Sequence, residues 1–243
     1  TELNKMMASL YLSSGEYQRV VELLGAQMRS TDDVQILALL GSAYMALGKQ
    51  QPAFDAYRRA IKLAPDISQL RTHLGVGLIR AGESGEGMAM LHSAVEASRE
   101  TLNPEIILVM GHLSQGELAA ARDAALAMEQ GYPDRLQVLN LVGVVLLANE
   151  DPAAAKKRFE KALVIAPDFP PTRINLARVA LIENDRVQAE RQFKKILETH
   201  PHYLDAMIGM IALADSDGDT EGLETWVSRA LQSNPGAVQP RVV

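Results

Sequence analysis

A pattern that returns every 34 residues constrains this chain more than any other feature. It is clearest from Leu136 to Pro167. There Leu139, Val142, Gly143 and Leu146 form one apolar stripe, and Ala155, Phe159, Ala162 and Pro167 mark a second, with a polar turn at Asn149 to Asp151 between them. Three periods upstream the register is held by Leu37, Leu40, Gly41, Tyr44, Ala53, Tyr57, Ala60 and Pro65. One period downstream it is held by Leu176, Ala177, Ala189, Phe193 and Pro201, and then by Met210, Ala230 and Pro235. Apolar residues at i, i+3, i+4 and i+7 describe a buried helical face. Asp151 can cap the second helix and Pro152 suits its first turn. The unit is therefore a helical hairpin too small to fold alone, and several must stack to bury their faces.

The periods begin at Val34, Ser68, Leu102, Leu136, Pro170 and Leu204, which gives units 34–67, 68–101, 102–135, 136–169, 170–203 and 204–237. Residues 1–33 make a further, degenerate unit through Ala8, Tyr11 and Gly15, one residue short, and 238–243 is a tail. Pro65, Pro133, Pro167, Pro201 and Pro235 close five units and Arg99 the other. Proline stops the second helix and turns the chain into the next unit. Small residues recur at one register: Gly41, Gly75, Gly143 and Ala177 on first helices, Ala53, Ala121, Ala155 and Ala189 on second helices. Glycine inside a helix costs about 1 kcal/mol against Ala, so its return at a fixed place points to close helix packing. Val109 and Ile211 depart from the first series, Gly87 and Leu223 from the second. With GESGEG at Gly82 to Gly87, the unit 68–101 is expected to be the loosest.

Composition agrees with an all-α chain, since aromatic residues are only 5% and there is little strand-forming material. The net charge of −6 provides no footprint for nucleic acid. No cysteine is present, so disulfides, thiolate metal sites and a cysteine nucleophile are excluded. The longest apolar run, Leu141 to Ala148, is far shorter than the roughly 18 residues a membrane span needs. Because the chain starts at Thr1 with no leader, any targeting segment is expected to lie outside this sequence.

The series Leu37-x2-Leu40-Gly41-x2-Tyr44, Ala53-x3-Tyr57 and Pro65 resembles the tetratricopeptide repeat (TPR). The resemblance covers nearly the whole chain and implies an all-α, right-handed superhelical solenoid of about seven repeats, with the first helices lining a concave groove. From Phe159 onward the sequence also resembles the TPR lipoproteins of bacterial PEP-CTERM/exosortase systems, linked to exopolysaccharide and envelope biogenesis. That narrower resemblance implies a periplasmic or envelope-associated protein; without it the expectation is cytoplasmic.

Nothing in the sequence assembles a catalytic centre, and no enzyme, cofactor or metal is expected. His73 and His112 lie on first helices of neighbouring units and His200 and His202 flank Pro201; these read as surface and turn histidines lacking a third ligand. Asp215, Asp217 and Asp219 have the opening spacing of a calcium loop, but Thr220 and Trp226 stand where Gly and Glu are needed, so the stretch reads as a turn. Gly75-Val76-Gly77 falls inside a helix and is no phosphate loop. Lys156, Lys157, Arg158, Lys161, Arg186, Arg191, Lys194 and Lys195, interleaved with Glu160 and Glu190, read as a solvated face with i, i+4 pairs.

The first helices carry a second stripe at repeat positions 5, 9 and 12. It runs through Ala38, Ser42 and Met45; Thr72, Val76 and Ile79; Ile106, Met110 and Leu113; Asn140, Val144 and Leu147; and Ile174, Arg178 and Leu181. The TPR resemblance implies that this stripe faces the groove, and it is mostly apolar. TPRs that clamp a carboxylate use Lys and Asn where this chain has Ala38 and Ser42. The Asn ladder of another TPR class would occupy Leu39, His73, Ile107, Leu141, Asn175 and Gly209. The expected function is a non-enzymatic scaffold that binds an apolar peptide or helix of another protein, with burial worth about 25 cal/mol per Å2 and Asn140, Asn175 and Arg178 orienting the ligand. The alternative is a structural spacer or self-association module of a longer solenoid, through uncapped repeat ends.

Overall fold

The computed structural model describes residues 2–98 and 102–233. Arg99, Pro235 and the tail 238–243 lie outside the described residues. Among the described residues there are fourteen α-helices, one short 3-10 turn at Gly25–Gln27 and no strand. The helices are α1 (Glu2–Ser13), α2 (Tyr17–Leu24), α3 (Val34–Ala46), α4 (Gln50–Leu63), α5 (Ser68–Arg80), α6 (Ser84–Ala97), α7 (Asn103–Ser114), α8 (Leu118–Gly131), α9 (Leu136–Ala148), α10 (Pro152–Ile165), α11 (Pro170–Ile182), α12 (Arg186–Thr199), α13 (Leu204–Asp217) and α14 (Thr220–Ser233). They form two compact units, Thr1–Ala124 and Ala125–Val243, with the division falling inside α8.

Local chemistry sets the helix ends. Asp33, Asp151 and Asp185 accept hydrogen bonds from backbone N–H groups in the first turns of α3, α10 and α12, at 2.9–3.2 Å. These carboxylates satisfy donors that a helix start leaves unpaired. Each first helix ends in a left-handed residue at one register. Glycine fills it at Gly15, Gly48, Gly82, Gly116 and Gly218, but Glu150 and Asn184 adopt the same conformation at φ 59. A glutamate with its Cβ in that region is strained by about 1–2 kcal/mol. Glu150→Gly relieves the strain at some cost in unfolded-chain entropy. It should raise the free energy of unfolding by about 0.5–1 kcal/mol, read as a higher urea midpoint at unchanged slope; an unchanged or lower midpoint would contradict this account.

In the first unit the core runs through Leu37, Leu40, Phe54, Tyr57, Leu74 and Leu78, all 1% exposed or less. Gly41 lets the Tyr57 ring lie across α3, since a Cβ there would stand 2.8 Å from the ring. In the second unit Gly143 does the same for Phe159, with a Cβ 2.3 Å from the ring edge.

The unit 68–101 departs from expectation. It is not loosely packed: α5 and α6 meet backbone to backbone, and a Cβ on Gly75 would lie 2.8 Å from the Gly87 carbonyl oxygen, with the reverse distance also 2.8 Å. In the α3/α4 and α9/α10 hairpins the Tyr57 and Phe159 rings lie against the first-helix glycine, whereas here two glycines let the backbones meet.

Candidate functional site

In the first unit α3, α5 and α7 pack side by side through their first-helix faces. Two recesses open there, one on each side of α5. The first, about 400 Å3, has apolar walls from Val34, Ala38, Leu39, Ile67 and Leu70. The second, about 350 Å3, is mixed: Ile67, Pro104 and Ile107 stand beside Asp66, Ser68 and Thr72. Ile67, Gln69 and His73 line both. Gln35 lines the first and Asn103 the second, so that Gln35, Gln69 and Asn103 place an exposed amide at one register on three successive first helices.

The repeat signature builds the floor of this site. Because Gly41 has no side chain, the Tyr57 ring passes over α3 and brings its hydroxyl to the Ser42 Oγ at 2.8 Å and to the His73 Nδ1 at 3.4 Å. Phe159 and Phe193 occupy the same register in later repeats and carry no hydroxyl. Burial raises the Tyr57 phenol above its ordinary value, against a smaller opposing effect of the Ser42 hydrogen bond. His73 keeps a solvent-exposed edge, but its place in the recess lowers its pKa by desolvation. The site therefore holds a neutral imidazole between an apolar recess and a mixed one.

This has a pH consequence. The unfolded chain protonates His73 near 6.5, while the folded protein resists until lower pH. Below about 6.5 the unfolded state binds more protons, so the contribution to stability falls as pH falls through this window. Glu105, raised above 4.5 by burial, slopes in the opposite sense. Comparing urea midpoints at several pH values for the wild type and His73→Gln isolates the imidazole. The variant should lose part of the decline on the acid side, and identical pH profiles would contradict the assignment.

The stripe expected from the sequence is only partly a surface. Val76 and Ile79 are half-buried and pack on the Met88, Leu91 and Leu108 cluster. Ile79 reaches into the hairpin contact, where a Cβ on Gly87 would meet its Cγ1 at 2.6 Å. Ile106 and Leu113 are half-buried and Met110 is exposed. In the second unit Ile174 is a core residue packed with Ala177 and Met207, contrary to its expected place in a groove. Asn175 is buried too, with Arg178 within 3.5 Å of its amide oxygen, and so is withdrawn from ligand contact. Asn140 is committed: it donates to the Leu136 carbonyl at 3.0 Å and accepts from Thr172 at 2.7 Å. Val144 and Leu147 are half-buried, while Arg178 and Leu181 are exposed.

Other expectations are corrected in the same way. His112 is buried, not a surface residue, and its Nδ1 is 2.7 Å from Glu117. The basic second helices pair mainly with acids of neighbouring repeats: Lys156 with Glu183, Arg158 with Glu129 and Lys161 with Asp134, at 2.8–3.1 Å. Lys194 with Glu190 is an i, i+4 pair. Asp217 pairs with Arg186 at 2.7 Å, Gly218 turns the chain, and Asp219 caps α14 by accepting from the Gly222 N–H. Among the described residues no group of three or more acids or histidines is placed to hold a metal ion. A wider recess of about 770 Å3 near α2 and α4 contains Arg58 and Arg59. Its chemistry is largely committed, because Arg58 pairs with Glu86 and Arg59 donates to the Met28 and Thr31 carbonyls.

Residues 34–67 and 108–170 each match the Tetratricopeptide repeat family, so the chain carries TPR repeats. Such repeats generally mediate protein–protein interaction and are generally non-enzymatic scaffolds. Over 139 residues the chain is 29% identical to the BBSome complex member bbs-4 of Caenorhabditis elegans; the match covers 56% of this chain and 29% of that protein. Among solved structures it is similar to the C-terminal part of a TPR repeat-containing protein from Cytophaga hutchinsonii, with a TM-score of 0.73 and 15% identity over 96% of both chains. It is also similar to pilF of Pseudomonas aeruginosa, with a TM-score of 0.63 and 20% identity over 84% of this chain and 92% of that one. These structures share the all-helical TPR solenoid fold. No helix among the described residues is long and apolar enough to cross a membrane.

Proposed function

We propose that the first unit binds an extended segment of another protein across α3, α5 and α7. The observation that carries this reading is the pair of recesses beside α5, the first with apolar walls and the second mixed, where Ile67, Pro104 and Ile107 stand with Asp66, Ser68 and Thr72, together bordered by Gln35, Gln69 and Asn103. An extended peptide offers side chains at alternate positions and free backbone donors and acceptors between them. Each amide side chain can both donate to and accept from such a backbone. The recesses take apolar side chains, and His73, neutral between them, adds a polar contact without a charge to desolvate.

An extended ligand is favoured over a helix because the continuous stripe a helix would need is interrupted, with Ile79 turned into the hairpin contact. Met110, exposed on α7, extends the apolar surface. The envelope or exopolysaccharide setting is supported by the likeness of residues from Phe159 onward to the PEP-CTERM lipoproteins. Selection of random peptides displayed against the purified chain tests the binding mode. Enriched sequences should carry apolar residues at spaced positions within an otherwise polar segment. Failure to enrich any sequence above a control lacking the protein would overturn the proposal.

A further inference from the structure

Where α6 packs on α7, two histidines occupy registers that carry other chemistry at neighbouring junctions. His92 on α6 and His112 on α7 correspond to Arg58 and Leu78 one period earlier and to Leu126 and Leu146 one period later. Leu78 and Leu146 are core residues, 3% exposed or less. His112 keeps that buried place at 6% exposed, while His92 is exposed beside it. The two rings meet edge to face, with centres 5.3 Å apart and planes at 64°. Gly111 permits the approach, since a Cβ there would stand 3.0 Å from the Met88 Sδ and 3.3 Å from the Leu91 Cδ1 of α6.

The turn after α7 orients the buried ring. Gly116 takes a left-handed conformation and the Glu117 N–H donates to the His112 carbonyl at 2.9 Å. The Glu117 carboxylate thereby returns to 2.7 Å from the His112 Nδ1. An ionised carboxylate only accepts, so in the neutral ring Nδ1 carries the proton and Nε2 presents its lone pair. Among the described residues Nε2 has no hydrogen-bond partner, and neither has a ring nitrogen of His92. A carboxylate on one imidazole nitrogen, with the other nitrogen available, is how metal-binding histidines are held. His112 also lies in the last turn of α7, where the helix dipole favours a cation.

We propose that His92 and His112 together bind one divalent ion of the zinc class, with Glu117 positioning His112 and water filling the remaining places. Two imidazoles on one tetrahedral zinc, at a Zn–N distance of about 2.1 Å, have ring centres about 5 Å apart, which matches the separation of these rings. Imidazole nitrogen suits zinc, nickel and copper. Glu117 is spent on Nδ1, and among the described residues no group of three or more acids or histidines is placed to hold a metal. The site is therefore open and exchangeable, unlike the closed four-ligand sites of structural zinc. The ion joins α6 to α7 at the end of α7 remote from Asn103, Pro104 and Ile107, so its uptake does not depend on peptide binding.

Calorimetric titration of zinc chloride into the whole chain, first cleared of metal with a chelator, tests this. The wild type should take up one zinc per chain, and zinc should raise its melting temperature. His92→Gln, at an exposed position, should raise the dissociation constant by at least about tenfold and remove the thermal shift, and Glu117→Ala should raise the constant by about tenfold. His200→Gln with His202→Gln should leave the constant as it was. Circular dichroism verifies the fold of each variant. No saturable uptake by the wild type, undiminished uptake by His92→Gln, or loss of uptake in the His200 and His202 variant would each overturn the proposal, and wild-type affinity in Glu117→Ala would overturn the positioning role.

Discussion

Ile67→Glu weakens capture of a display-selected peptide by about 100-fold while leaving the melting temperature and helicity of the protein unchanged. Ile67 stands just before α5 in extended conformation, is 42% exposed, and lines both recesses. A carboxylate at that point faces the apolar wall of the first recess and adds to the Asp66 charge in the second, and a ligand side chain entering either recess would have to strip its water. Desolvating a polar group without a compensating hydrogen bond costs about 1–3 kcal/mol in proteins, and more for a charge. The isoleucine surface that the ligand would have covered is lost as well, at about 25 cal/mol per Å2. Together these weaken binding by about 100-fold, or about 2.7 kcal/mol at 1.4 kcal/mol per tenfold. The free protein is little affected, since substitutions at exposed positions without special contacts usually stay within about 0.5 kcal/mol. Ile67→Val keeps the apolar wall and should keep most of the affinity. Fluorescence anisotropy of a labelled peptide reads both; wild-type affinity in the glutamate variant would remove the recesses from the binding site.

The repeating part of this architecture was legible because each hairpin solves the same packing problem. The 34-residue return of Gly41, Gly143 and Ala177 marks where helices touch, and the Asp151 cap could be placed from its position alone. The site was less legible for a geometric reason. Helical periodicity fixes the angle at which a side chain leaves its axis, but not how near the neighbouring helix lies. Ile79 was therefore assigned to a groove, although the missing side chain of Gly87 draws it into the hairpin. Ile174 was misplaced likewise, being packed beneath Met207 of the following repeat's first helix. The amides missed by the sequence reading did leave a signal, since Gln35, Gln69 and Asn103 recur one period apart. The partners of the basic second helices left none, because Lys156 and Glu183 are joined only by the stacking of successive repeats.

Gly87→Ala destabilises the protein by about 2 kcal/mol, although it restores the residue that Ala53, Ala121, Ala155 and Ala189 place at that register. Helix propensity alone predicts the reverse, a gain of about 1 kcal/mol. The close approach decides the sign. A Cβ at Gly87 would lie 2.6 Å from the Ile79 Cγ1, 2.8 Å from the Gly75 carbonyl oxygen and 3.0 Å from the Ile79 backbone nitrogen. A side chain can turn aside, but two of these three atoms belong to the α5 backbone, so relief requires the two helices to separate. Overpacking of this kind costs about 1–3 kcal/mol. Gly85→Ala, two residues earlier in α6, is the control: nothing lies within 4 Å of its Cβ position, and the substitution should stabilise by about 0.5 kcal/mol. Opposite shifts of the urea midpoint for these two variants would establish that backbone contact, not flexibility, explains the glycines of this hairpin; a stabilising Gly87→Ala would refute it. The contact also bears on function, because α5 carries Gln69 and His73 into both recesses. Separating α5 from α6 moves those side chains relative to α3 and α7, so Gly87→Ala should weaken peptide capture even under conditions where the protein remains folded.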